Sequence, residues 1–286
     1  MKKIIKRICV IAAVFMLSGC LNKDSMEDIN IYTSFYPIEY VSKSLYGDYA
    51  NIISMYPDNI NPYTYKLTAK QIKNFSNADL IIYNGLDIEK EYIVKMLNSN
   101  RKLKIIDSTA KIEYSNEMDE IWINPSNMIT IAQNIRNGLK EYINSSYLQS
   151  KIEENYDDLK LKLSTIDANI KEAVANAKNT NIIIADDDLK ALSKYGLNII
   201  SIDEDTITDK SLADAKSLLN RKECNYIFVK KGFTETQTLK DLKEKYDAKY
   251  LEIDTLNNIS ITDRNDNKDY ITIMYNNIDN LKEELY

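Results

Sequence analysis

The chain has 286 residues, 44% of them hydrophobic and 28% charged, with a formal charge of −6. That is enough for one large or two modest domains with their own cores, and the acidic balance argues against a nucleic-acid partner. There is no histidine, which removes Ser-His-Asp and Cys-His chemistry, and NGLD (84–87) holds too little glycine for a phosphate loop, so no enzyme is expected.

The N-terminus opens with Lys2, Lys3, Lys6 and Arg7, followed by the apolar stretch ICVIAAVFML, which is too short to span a bilayer. It ends in Leu17-Ser18-Gly19-Cys20, which resembles the lipobox of bacterial lipoproteins. The resemblance implies a signal peptide over 1–19, an acylated Cys20 as first mature residue, and a polar tether over 20–28. Removing 1–19, with four basic and no acidic residues, takes the formal charge from −6 to −10. Cys9 is then lost and Cys20 lipidated, leaving Cys224 without an internal disulfide partner. Cys224 opens the apolar run CNYIFV and reads as a buried strand residue.

From residue 29, short β-branched runs alternate with helical periodicity. INIYT (29–33), NIISMY (51–56), DLIIYN (79–84) and LKIID (103–107) read as strands. IEYVSKSLYG (38–47), TAKQIKNFSNA (68–78) and IEKEYIVKMLNS (88–99) read as helices between them. The middle is helical: 125–146 repeats Ile129, Ile131, Ile135, Leu139 and Ile143, and 147–178 carries Ile152, Leu159, Leu163, Ile166, Ile170 and Val174 on one stripe. The second of these would span roughly 45 Å at 1.5 Å per residue and reads as a coiled-coil arm or as a strut between two lobes.

After it the alternation resumes. Strands are expected over 181–185, 198–202, 225–229 and 250–254, and helices over 187–196, 209–220, 234–246 and 268–285. The pattern predicts an α/β protein of two lobes, 29–146 and 179–286, joined by the long helix 147–178. Each lobe would hold a mostly parallel sheet flanked by helices.

Open α/β sheets take ligands beyond the carboxyl ends of their strands. The first lobe places Ser34, Tyr63, Asn84, Glu120 and Trp122 there. The second places Asp186 and Asp187, Lys230 and Lys231, and Asp254 there. Phenol, carboxylate and hydroxyl oxygens form a hard-donor set, suited to Mn²⁺, Mg²⁺, Ca²⁺ or Fe³⁺ in preference to Zn²⁺. Asp186 reads equally as a helix N-cap, and a lysine near the cleft would neutralise these acids by salt bridging. Trp122 reads as lobe packing or as a cleft wall.

The stretches "TSFYPIEYVSKSLYGD", "NPYTYKLTAKQIKNFSNADLIIYNGLDIE", "IWINPSNMITIAQNIRNGL" and "YLEIDTL" together resemble the metal-binding lipoproteins of zinc and manganese ABC importers, the cluster 9 or A-I solute-binding family. The resemblance runs from about residue 29 to the C-terminus. It implies two α/β lobes on a long helix with a metal in the cleft between them. It also implies an ABC permease and ATPase as partners, and an address on the extracytoplasmic face of a bacterial cell membrane. A monomer is expected.

Three of the family's four ligand places are changed. Tyr63 stands where a His follows Pro in a P-H-x-Y turn, with Tyr65 matching the motif's Tyr. Glu120 replaces the His of an H-x-W-x-D-P stretch, and Ala185, with Asp186 beside it, falls at the His or Glu of the second lobe. Asp254 matches the retained Asp. The His-rich loop of zinc members has no counterpart in residues 108–118. The expected metal set is therefore Tyr63, Glu120, Asp186 and Asp254, with Ser34, Tyr65, Asn84, Trp122, Asp187 and Lys230 around the cleft. A divalent or trivalent hard cation is expected, with weak zinc affinity. The competing expectations are a degenerate member that binds a non-metal or chelated ligand, and a ligand-free surface adhesin or scaffold.

Overall fold

A computed structural model describes residues 26–85, 87–113 and 120–286. The expected signal segment, the lipidation site Cys20 and most of the tether lie outside the described residues. In chain order the first lobe holds β1 (Ile29–Thr33), α1 (Tyr36–Tyr46), β2 (Ala50–Ser54), α2 (Ala69–Phe75), β3 (Leu80–Tyr83), α3 (Asp87–Ser99) and β4 (Lys104–Asp107). A three-residue 3₁₀ turn, Ile121–Ile123, leads into α4 (Pro125–Tyr142) and the long α5 (Ser146–Ala175). The second lobe holds β5 (Asn181–Ile184), a 3₁₀ segment (Asp187–Tyr195), β6 (Asn198–Ser201), α6 (Asp209–Asn220), β7 (Tyr226–Lys230), α7 (Gln237–Tyr246) and β8 (Lys249–Ile253). It closes with α8 (Ile261–Asn265) and α9 (Tyr270–Leu285).

Among the described residues both sheets have four strands in equivalent order, β2-β1-β3-β4 and β6-β5-β7-β8, and every pairing is parallel. Each order reverses between its two central strands, so each sheet opens a crevice at its carboxyl edge. Helix α5 starts where the Ser145 hydroxyl accepts from the Leu148 amide. Its stripe of Ile152, Leu159, Leu163, Ile166, Ile170 and Val174 is buried as the periodicity predicts. Each such side chain contributes about 1.5–3 kcal/mol against exposure.

Helices α1, α4 and α9 pack along α5, so the strut is shared core and not a free arm. One apolar core runs from the first sheet through α5 to the inner face of the second. A smaller core, with Cys224 fully buried in it, fills the outer layer of the second lobe. Among the described residues no helix is long and apolar enough to cross a membrane.

The lobes are also joined directly. The Trp122 indole donates to the Thr255 carbonyl at 2.8 Å, and the Tyr270 hydroxyl donates to the Trp122 carbonyl at 2.6 Å. Trp122 has no exposed surface, so its role is to seal the lobes. On the neighbouring edge Arg264 of α8 reaches Glu39 of α1 at 3.0 and 3.1 Å and Asp58 at 2.7 and 2.8 Å. The Asn59 amide donates to the Ile259 carbonyl beside it.

Candidate cation site between the lobes

In the loop after β2, the Asn61 side chain accepts from the Tyr63 amide, and the Asn61 carbonyl accepts from the Thr64 and Tyr65 amides. This tight turn presents the ring of Tyr63 edge-on to Phe35, with centroids 5.2 Å apart. Phe35 is fully buried and also meets Tyr56 and Trp122 edge-on. Such tilted aromatic contacts fix ring orientation. They aim the Tyr63 hydroxyl at Glu120, to which it donates at 3.2 Å.

Glu120 stands just before the 3₁₀ turn, and its carboxylate is wholly buried. Oε2 accepts from Tyr63. Oε1 accepts from the Lys230 ammonium at 3.1 Å, the Asn257 amide at 2.8 Å and the Thr255 hydroxyl at 3.5 Å. One lobe supplies the phenol, and the other supplies the ammonium, amide and hydroxyl. Burial pushes the Glu120 carboxyl up to about 7, against the pull of the Lys230 charge.

Lys230, the last residue of β7, also donates to Asp188 at 2.5 Å. Burial alone would lower its ammonium, yet Glu120, Asp188 and Asp186 outweigh that and hold it above the usual lysine range. The lysine therefore stays charged at neutral pH. Burial, and then the like charge of Asp188, raises Asp186.

The four expected metal ligands do not converge as a set. Tyr63 and Glu120 are in direct contact. Asp186 caps the 3₁₀ segment, accepting from the Asp188 amide at 3.0 Å, and Asp188 is the acid that meets Lys230. Asp254 is held elsewhere: Oδ1 accepts from the Leu256 amide, and Oδ2 from Lys231 at 2.8 Å, which it shares with Asp263. It faces a separate cavity of about 150 Å³ with Lys231 and Asp263. Among the described residues no three Asp, Glu or Cys side chains gather at metal-ligand spacing.

Several expected cleft residues are also placed differently. Ser34 and Asn84 are buried beneath the site, where the Asn84 amide donates to the Ser34 hydroxyl and to Glu89. The Tyr65 hydroxyl accepts from Gln71. Asp187 turns towards β6, accepting from Ser201, Thr206 and Lys190. The cleft itself is a cavity of about 680 Å³. Asn59, Ile60 and Asn61 form one wall; Asp186, Asp203, Lys230 and Asn257 lie on the other. Phe35, Asp188, Thr255 and Asn257 are the site residues missed from sequence. Only Asp188, which directly follows Asp186 and Asp187, carried a local signal.

The model of the ZnuA family, described as the zinc-uptake complex component A, periplasmic, matches residues 31–284. The chain belongs to this family. The zinc-binding lipoprotein AdcA of Streptococcus pneumoniae R6 is 22% identical over 311 residues, covering 99% of this chain and 61% of that protein. A metal ABC transporter substrate-binding lipoprotein of Lactococcus lactis is 29% identical over 191 residues, covering 59% of this chain and 60% of the relative. The chain thus spans about three fifths of the length of these family relatives. Among solved structures, the Zn(II)-bound ZnuA-like domain of S. pneumoniae AdcA superposes with a TM-score of 0.74 at 23% identity, over 90% of this chain and 99% of that one. YcdH of Bacillus subtilis, described as a metal-dependent lipoprotein, superposes at 0.77 with 22% identity and the same coverage. These matches show the two-lobe fold of the ZnuA family.

Proposed function

We propose that the chain is the solute-binding lipoprotein of an ABC importer, and that its cargo is a metal cation taken up at Glu120 between the lobes. The observation that carries this reading is Glu120 itself: a wholly buried carboxylate approached from both lobes, already paired with a positive group. A buried carboxylate is retained where something positive completes it. Family membership and the names of the relatives support a metal as that partner.

The ligands within reach are oxygens, from Glu120, Tyr63, Asp188 and the Asn257 side chain. They favour a Mn²⁺-class ion over Zn²⁺. Acylation at Cys20 would hold the protein at the extracytoplasmic face of the bacterial membrane, as a monomer that delivers its cargo to a permease driven by an ATPase.

Calorimetric titration of the chain with Mn²⁺ and Zn²⁺ tests the proposal. Mn²⁺ should bind more tightly than Zn²⁺, and Glu120→Gln should weaken Mn²⁺ by about tenfold or more, about 1.4 kcal/mol. No heat with either ion, or an unchanged Mn²⁺ affinity in the variant, would remove it.

A further inference from the structure

We infer that Lys230 is the resident cation of this cleft: its ammonium occupies the seat an incoming metal must take, and its displacement sets how selective that uptake is. The inference rests on the reading of the cleft as a cation-capture site.

The ammonium lies between two acids from different elements, Glu120 at 3.1 Å and Asp188 at 2.5 Å. The Asp186 charge also acts on it. Glu120 has no solvent exposure of its own, so the lysine is what balances it. With Lys230 seated, an arriving ion meets three acids already offset by one positive charge. With Lys230 withdrawn it meets all three. The exchange therefore favours an ion of higher charge than the ammonium, because a monovalent occupant leaves two of the three acids unbalanced and a divalent one leaves a single acid.

The lysine has room to leave. Its side chain is 27% exposed, rides on a flexible four-carbon stem, and borders the cavity of about 680 Å³. The adjacent Lys231 turns the opposite way, to Asp254 and Asp263. Lys230 and Lys231, consecutive at the end of β7, thus serve two separate groups of acids.

The test compares the full chain, purified in detergent, with Lys230→Met and Lys230→Ala. Two readouts are used: Mn²⁺ titration, and thermal unfolding with n-propylammonium chloride against sodium chloride at equal ionic strength. Both variants should bind Mn²⁺ about tenfold more tightly than the parent. Propylammonium should raise the unfolding temperature of Lys230→Ala and leave the parent unchanged. Should Lys230→Ala fail to fold, the near-isosteric Lys230→Met carries the Mn²⁺ comparison. Equal or weaker Mn²⁺ binding in the variants, with binding intact in the parent, overturns the role of Lys230 and leaves cation capture standing. No Mn²⁺ binding in any form, with propylammonium rescue of Lys230→Ala, keeps the ammonium seat and removes metal capture. Absence of both effects overturns the inference and the capture reading together.

Discussion

Glu89 and Glu120 are both buried, yet their surroundings treat charge differently. Glu120 faces an ammonium. Glu89, 1% exposed in the first turn of α3, has the Asn84 amide on Oε2 and feels the like charge of Asp107. Burial pushes the Glu89 carboxyl up to about 8, against the pull of Tyr56, Ser34 and the Asn84 amide. The folded protein thus holds a proton there that the unfolded chain gives up near the ordinary carboxylate value of 4.5. The native state then binds more protons, so this contribution is complete below about 4.5 and is lost as pH rises to about 8. Glu89→Gln should flatten that part of the stability profile, raising stability above pH 8 by a few kcal/mol at most, on the order of the linkage. Urea unfolding across that range checks it. A variant as pH-dependent as the parent would contradict the assignment. At this scale the sequence was half legible. Tyr63 and Glu120 stood out from their turn chemistry and resemblance. Asn257 and Thr255 did not, because they meet Glu120 across a separation of more than 130 residues.

Elements were more legible than residues, because periodicity is local. The strands and long helices fall within a few residues of expectation, since β-branched runs and an apolar stripe are patterns carried by neighbouring residues. The exception is Asp187–Tyr195, whose spacing predicts an α-helix and which winds as 3₁₀. Only residues 185–197 connect β5 to the parallel β6. At about 2.0 Å per residue a 3₁₀ segment of that length reaches further than an α-helix at about 1.5 Å. Gly196, at φ 93°, then ends it. The five-residue α8 is too short to show a period and was missed. Packing of α4 on β4 gives a test in which propensity and sterics oppose each other. A Cβ at Gly138 would lie 2.6–2.9 Å from three side-chain carbons of buried Ile106. Gly138→Ala gains up to about 1 kcal/mol of helix propensity and loses about 1–3 kcal/mol to overpacking. A net loss of about 1 kcal/mol is expected in chemical denaturation, and a more stable variant would show that Ile106 yields freely.

For the whole molecule, the lobe interface decides what the site can do. Two-lobe α/β architecture follows from alternation and from the burial of α5. How the lobes meet does not, because those contacts join residues more than 130 positions apart. Arg264 clamps Glu39 and Asp58 across the lobes on the edge next to Trp122. Glu39 is 3% exposed and keeps Lys43 as a second partner, while Arg264 is partly exposed, so its removal should cost about 1–3 kcal/mol, less than for a fully buried pair. A double-mutant cycle of Arg264→Ala with Glu39→Gln should return a coupling of about 1 kcal/mol or more. Additive losses would mean that the clamp does not bind the lobes together. The same interface brings Tyr63, Glu120, Asn257 and Lys230 to one point, and the claim of cation capture stands on that convergence. Diffraction from crystals soaked in Mn²⁺, recorded for anomalous signal, tests it most directly. The account predicts one peak against the Glu120 carboxylate with the Lys230 ammonium moved off it; no peak there, or a peak with Lys230 still seated on Glu120, would contradict it.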